Sequence, residues 1–416
     1  MMLKDLIANA ERDCITQHTN ISKIVEKNQK RVLDAFKDNR VSESHFYSTT
    51  GYGYDDLGRE TLEAIYAEVF GGEDALVRPQ IVSGTHAIST ALFGLLRPGD
   101  ELLYITGKPY DTLESVIGVN GHYSGSLHDF HITYNQTDLL DDGSIDYTAI
   151  RQSISARTKV IAIQRSKGYD DRPSFTIDEI GEMVDFVKAI NENLIIFVDN
   201  CYGEFVEEQE PLHAGADVIA GSLIKNPGGG MVRAGGYIAG KTEYVEQCAN
   251  RLTAPGLGKE TGATFNMLQE MFQGLFMAPH IVGEALKGAV LTARFLDLAG
   301  FCTSPDYESK RTDLIQTVTF NDSENMIAFC QAIQHNSPVN AFVTPYPSEM
   351  PGYQNQVIMA AGTFIQGASL ELTADGPIRE PYTAFVQGGL TYEHVKIALE
   401  AAVNDLIEKG LMTLKS

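Results

Sequence analysis

Through the middle of the chain, short apolar runs alternate with stretches of helical spacing. The runs ALVRPQIVSG, ELLYITG, KVIAIQRS, LIIFVDN, DVIAGSLIK and GGYIAG are each bounded by turn-forming residues. Runs so uniformly apolar predict strands buried on both faces of a mostly parallel sheet. The intervening segments carry helix signals. RETLEAIYAEVFGG sets Leu62, Ile65, Tyr66 and Val69 on one face and closes on glycine. In TIDEIGEMVDFVKAIN, Thr176 and Glu179 have capping-box spacing, and Ile180, Met183, Val184, Val187 and Ile190 form one stripe. This is β-α-β logic, with helices on both sides of one sheet.

The flanks read differently. LKDLIANAERDCI and ISKIVEKNQKRVLDAFKD have helical spacing, and HFYSTTGYGYDDLG then breaks it. Residues 1–58 are expected to form an N-terminal arm, and residues 59–287 the large α/β domain. From Gly288 the character shifts. GAVLTARFLDLAGF reads as a connecting helix, and DLIQTVTF, NQVIMAAGTF, ASLELTAD and TAFVQGG as strands. With the helices ENMIAFCQAIQ and YEHVKIALEAAVNDLIEKG they predict a smaller α+β domain over 288–416.

Composition narrows the function. The 416 residues are 43% hydrophobic and 21% charged, as in an ordinary globular protein. A net charge of −23 repels phosphate backbones and anionic membranes, so neither nucleic acid nor membrane is expected as a partner. The N-terminus lacks the pattern of a signal peptide. Five scattered cysteines without a C-x-x-C point to free thiols in a cytoplasmic protein.

Ligands of such sheets bind at the carboxyl ends of the strands, and several predicted strand ends carry reactive groups. Ser83, Gly84, Thr85 and His86 open a helix after a strand, which suits an anion, although Ser and Thr also serve as plain caps. Asp199 ends the run LIIFVDN, with Tyr202 three residues on. Lys225 ends DVIAGSLIK, just before the turn-rich NPGGG. A Schiff-base lysine needs a desolvated amine with a lowered pKa. The glycines are read as letting the backbone pass close to a cofactor. Lysine, aspartate and phosphate cradle together are the parts of a pyridoxal-phosphate site. His128 and His131 have no carboxylate or thiol cluster beside them in the sequence, so no metal is expected.

The order SGTHA, KPYDTLESVIG, VDNCYGEF, GSLIKNPGGG resembles the fold-type-I pyridoxal-phosphate enzymes of cysteine and methionine metabolism. Within them it most resembles the aluminium-resistance or methionine gamma-lyase-like proteins. The resemblance implies a seven-stranded-type, mostly parallel sheet and a carbon–sulfur lyase working by β- or γ-elimination on a sulfur-containing amino acid. It implies pyridoxal 5'-phosphate on Lys225, with Asp199 at the pyridine nitrogen and Tyr110 stacked on the ring. Gly84, Thr85 and Ser222 would bind phosphate, and Arg379 the substrate carboxylate. Tyr52 or Tyr54 would reach a neighbouring subunit's site in a homodimer or homotetramer. The sequence departs from the well-studied lyases at Ser222-Leu223-Ile224-Lys225, where they have Ser-x-Thr-Lys. The alternatives are an aminotransferase on the same site, or a non-catalytic cofactor-binding or regulatory protein.

Overall fold

The computed structural model describes residues 3–52, 55–119, 121, 124–170, 172–350 and 355–414. Two amphipathic helices begin the chain, α1 (Leu3–Asp13) and α2 (Ile15–Asp38). They serve different cores. Leu6, Ile7 and Ala10 of α1 join the hydrophobic cluster of the C-terminal region, whereas Ile21, Val32 and Ala35 of α2 join the main core.

The large sheet is assembled from α3 (Leu57–Phe70), β1 (Asp74–Arg78), α4 (Gly84–Leu95), β2 (Glu101–Tyr104), α5 (Asp111–Ile117), β3 (Thr133–Gln136) and α6 (Tyr147–Ser153). It continues through β4 (Thr158–Gln164), α7 (Ile177–Ile190), β5 (Ile195–Asp199), β6 (Val218–Ser222), β7 (Gly236–Gly240) and α8 (Thr242–Leu252). Its seven strands lie in the order β1-β7-β6-β5-β4-β2-β3. Strands β3, β2, β4, β5 and β6 run parallel, and β7 is antiparallel to both its neighbours. Alternate side chains of the central strands feed two cores. Ile196 and Val198 of β5 face one, while Ile195 and Phe197 face the other. That two-sided burial is why the strands read as continuous apolar runs.

The expected helix signals are met locally. Thr176 and Glu179 cap α7 reciprocally, Thr176 N–H donating to Glu179 Oε2 at 2.8 Å and Glu179 N–H to Thr176 Oγ1 at 3.2 Å. Gly71, at φ +79°, closes α3 in the left-handed region where glycine has no Cβ clash.

The 32-residue α9 (Leu268–Ala299) passes unbroken through the 287/288 boundary expected from composition. It leads to β8 (Cys302–Ser304), β9 (Gln316–Thr319), α10 (Ser323–His335), β10 (Val357–Ala360), β11 (Thr373–Pro377), β12 (Thr383–Gln387) and α11 (Tyr392–Glu408). These strands form a separate antiparallel sheet in the order β10-β11-β12-β9-β8. The architecture is the fold-type-I arrangement. Among the described residues, no helix is long and apolar enough to cross a membrane.

Candidate active site

The parallel pairing of β5 with β6 sets the site. Asp199 is the last residue of β5, and Lys225 follows the end of β6 by three residues, so both belong to the carboxyl edge of the sheet. Lys225 Nζ lies over the Tyr202 ring, 3.7 Å from its centroid. Tyr202 holds φ +72°, an uncommon conformation for a non-glycine residue, in the loop that leaves β5.

Asp199 is 6% exposed. Burial pushes its pKa up, against the pull of the Cys201 N–H, which donates to Oδ1 at 3.1 Å, and of the charges of Lys225 and Arg172. For Lys225 the balance contradicts the expected lowering. Burial works to lower its pKa, but Tyr202, Cys201 and Asp199 outweigh it and the net move is upward.

Two of the glycines after Lys225 are also required by packing. A Cβ on Gly228 would strike the Leu223 carbonyl, and one on Gly229 the Gly274 carbonyl of α9. They allow the lysine loop to press onto a helix backbone, which fixes that loop from behind.

The cradle expected from residues 83–86 divides in two. Ser83 Oγ accepts the His86 N–H at 3.0 Å, and His86 Nδ1 accepts the Val82 N–H at 3.1 Å. Ser83 and His86 thus use these groups to shape the start of α4. Gly84 and Thr85 remain at the helix terminus. A Cβ on Gly84 would stand 3.2 Å from Cys201 Sγ and 3.4 Å from Ser222 Cβ, so this terminus faces the ends of β5 and β6. Ser222 is 1% exposed, yet its hydroxyl has no hydrogen-bond partner. An orphaned buried hydroxyl beside a helix N-terminus fits an anion's oxygen atoms.

Tyr110 caps the start of α5, and Thr112 of the same turn shares a 2.9 Å hydrogen bond with Thr85. The ring of Tyr110 packs against Gly168, where a Cβ would come within 3.0 Å of it. It lies 6.0 Å from the Tyr169 ring, which in turn lies 4.9 Å from Phe385 of β12. Tyr169 links the two domains and was not singled out from the sequence. Arg379 donates to the Tyr169 carbonyl at 3.3 Å from an exposed position at the end of β11. The structure thus brings Arg379 to the Tyr169 loop. Tyr52 is 86% exposed and bridges to Thr261; Tyr54 lies outside the described residues.

Two further acids join the site. Asp375, opposite Phe385 in the small sheet, is buried and hydrogen-bonded to Tyr169 and Gln387. Burial raises its pKa to about 6, opposed by those two bonds and by the charge of Lys225. Glu204 is buried behind β6 and accepts the Tyr237 hydroxyl at 2.9 Å; burial raises its pKa to about 8. Neither is marked by a sequence motif. A strand-final carboxylate in ASLELTAD was the available signal for Asp375, but only the contact between domains gives it meaning. Among the described residues, no group of three or more His, Cys, Asp or Glu could hold a metal ion.

The family model described as methionine gamma-lyase matches residues 3–407. The uncharacterised Bacillus subtilis protein YnbB is 64% identical over 99% of this chain and 98% of its own. A Pseudomonas putida L-methionine gamma-lyase is 28% identical, over 53% of this chain and 48% of its own. Among solved structures, a Clostridium novyi carbon–sulfur lyase involved in aluminium resistance is 49% identical with a TM-score of 0.93, covering 97% of this chain and 96% of the other. A Listeria monocytogenes protein, described as a candidate cystathionine beta-lyase involved in aluminium resistance, is 59% identical with a TM-score of 0.95, covering 97% and 99%.

Proposed function

Because the chain belongs to the methionine gamma-lyase family, we propose that it is a pyridoxal-phosphate enzyme that breaks a carbon–sulfur bond in an amino acid. The observation that carries this reading is the pairing of Lys225 and Asp199 at adjacent parallel strand ends, beside the unpartnered Ser222 hydroxyl. Those residues fit the cofactor. Lys225 would hold it covalently, Asp199 would face its ring nitrogen, and Gly84, Thr85 and Ser222 would receive its phosphate. When bound, pyridoxal phosphate supplies an electron sink for the carbon that bears the substrate's amino group.

The chain's own groups do the rest. Asp199 favours a protonated ring nitrogen, because a buried carboxylate without a cationic partner is costly. The neutral Lys225 amine would be the base that takes the proton from the substrate's α-carbon. Tyr110, at the start of α5, would cover the face of the cofactor ring. Arg379 receives the substrate carboxylate, which requires it to leave the Tyr169 carbonyl or to share it. The sulfur would leave the β or γ carbon with the electrons of the C–S bond and be released as a thiol once protonated, Lys225 being placed to give up the proton it took.

The same reading includes a homodimer as the smallest active unit. Tyr52, Val82 and Phe265 are 86%, 71% and 62% exposed, and Val82 adjoins Ser83 at the mouth of the site. Such apolar exposure suits a covering subunit that shares its site. All five cysteines are free thiols, in keeping with a cytoplasmic location.

The test is a screen of sulfur amino acids with no 2-oxo-acid acceptor. Release of 2-oxo acid, ammonia and a thiol supports the lyase. Product formation only when a 2-oxo acid is added would instead make it an aminotransferase.

A further inference from the structure

A cavity of about 710 Å³ lies where α2, α9 and the loops 206–209 and 308–311 meet. None of the Lys225-site residues lines it. Its volume falls in the range of small-molecule sites. The floor is apolar, formed by Ile21 and Ile24 of α2 and Leu286 and Val290 of α9. Two polar groups on its lining are incomplete. Arg311 is 9% exposed; its Nη2 donates to Gln316 Oε1 at 2.6 Å and to the Ala289 carbonyl at 3.4 Å, but Nε and Nη1 have no partner. Gln17 Oε1 is buried and also unpartnered. Buried donors and acceptors left unmade are rare in folded proteins, and a ligand is one way to complete them.

The charges of the cavity select the ligand. Lys27 is paired with Glu208 at 2.6 Å, and Lys310 with Glu207 at 2.7 Å. Arg311 therefore has the available donors for a carboxylate. Asp178, Glu207, Glu208 and Glu308 outnumber Lys27, Lys310 and Arg311, so a dianion such as phosphate is disfavoured. A zwitterion is not. Its carboxylate would pair with Arg311, its ammonium with Gln17 Oε1, and an apolar side chain would lie on Ile21, Ile24 and Leu286. We propose that this cavity is an effector site for a free α-amino acid with an apolar side chain.

The site is wired to the Tyr169 loop by the residues that follow Arg311. Thr312 Oγ1 donates to the Phe175 carbonyl at 2.6 Å, and Asp313 Oδ2 accepts the Lys167 N–H at 3.2 Å. Asp313 also accepts the Ser174 hydroxyl. A ligand that fixes Arg311 thus bears on both ends of the segment carrying Tyr169.

The experiment is calorimetry of the purified protein with L-norleucine, which contains no sulfur. Borohydride treatment beforehand blocks amine exchange at Lys225, so binding there and binding at Arg311 are separated. One molecule is expected to bind per chain, with affinity lowered at least about tenfold in Gln17→Leu, roughly the loss of one good hydrogen bond. Ile24→Trp, which fills the floor, should abolish binding, and the variant's unfolding temperature verifies its fold. No binding to the wild type would overturn the proposal. So would equal affinity in both folded variants, or equal affinity for the N-acetyl amide of norleucine, which lacks both charges. This test does not depend on the lyase reading: if no cofactor is present, the Arg311 arm is unchanged.

Discussion

Lys225 Nζ rests 3.7 Å from the centre of the Tyr202 ring, and the two residues lie on loops that leave neighbouring parallel strands. An ammonium over an aromatic face is stabilised electrostatically, more so where water is excluded. Tyr202 is also the first of the groups that raise the Lys225 pKa against burial. Tyr202→Phe keeps the ring and removes the hydroxyl. The pH at which cofactor-stripped protein takes up half its pyridoxal phosphate is expected to fall, because the amine loses its proton more readily. An absorbance titration across pH measures this. An unchanged midpoint would show that Tyr202 only packs against the lysine.

Asp199→Asn is expected to retain the fold and bind cofactor, yet lose at least about 100-fold in turnover, the scale seen when a single preorganised electrostatic contact is removed. An amide cannot favour the protonated ring nitrogen as a carboxylate does. Far-ultraviolet circular dichroism and steady-state rates decide the matter. Wild-type turnover in the variant would make Asp199 a structural residue.

The small domain contributes a pH-dependent group. Burial raises the Asp375 pKa from 3.8 to about 6. A folded-state value above the unfolded one means that the native protein binds the proton more tightly. The cost of ionising Asp375 is therefore absent below about pH 4, grows as pH rises, and is complete above about pH 6. The rise corresponds to about 3 kcal/mol at most. Asp375→Asn should gain up to that amount in urea unfolding at pH 8 and gain nothing at pH 4. Equal effects at both pH values would contradict the assignment.

A shared site predicts complementation. Lys225→Ala and Tyr52→Phe, each nearly inactive alone, should regain part of the wild-type activity when hybrids form, because one site of each hybrid has both native contributions. Native mass spectrometry verifies the hybrids. Their formation without recovered activity would place Tyr52 outside the partner's site.

Much of this site was legible before the fold was known, for a physical reason. Asp199 and Lys225 end apolar runs, and a charged residue at the end of a buried strand stands out against its neighbours. The function of α4's first residues was less legible, because Ser83 looks the same as a helix cap and as a phosphate ligand. In the structure Ser83 Oγ accepts the His86 N–H and His86 Nδ1 accepts the Val82 N–H, so both groups serve the cap. The glycines after Lys225 invited a cofactor explanation, and the sequence could not show that Gly229 also meets the Gly274 carbonyl, 45 residues on. Tyr169 and Asp375 could not be found from local pattern. Their roles arise from the packing of the β11–β12 pair against the 165–175 loop, a contact between segments about 200 residues apart. The antiparallel direction of β7 was likewise hidden, since a short apolar run carries no mark of its orientation.

The central claim is that Lys225 holds the cofactor. Purified protein should be treated with borohydride, digested and sequenced by mass spectrometry, beside Lys225→Ala. The expected result is a reduced pyridoxyl group on the peptide that contains Lys225, together with loss of the visible absorbance band in the variant after dialysis. A reduced group on another lysine, or a stable borohydride-reducible adduct in Lys225→Ala, would contradict the account.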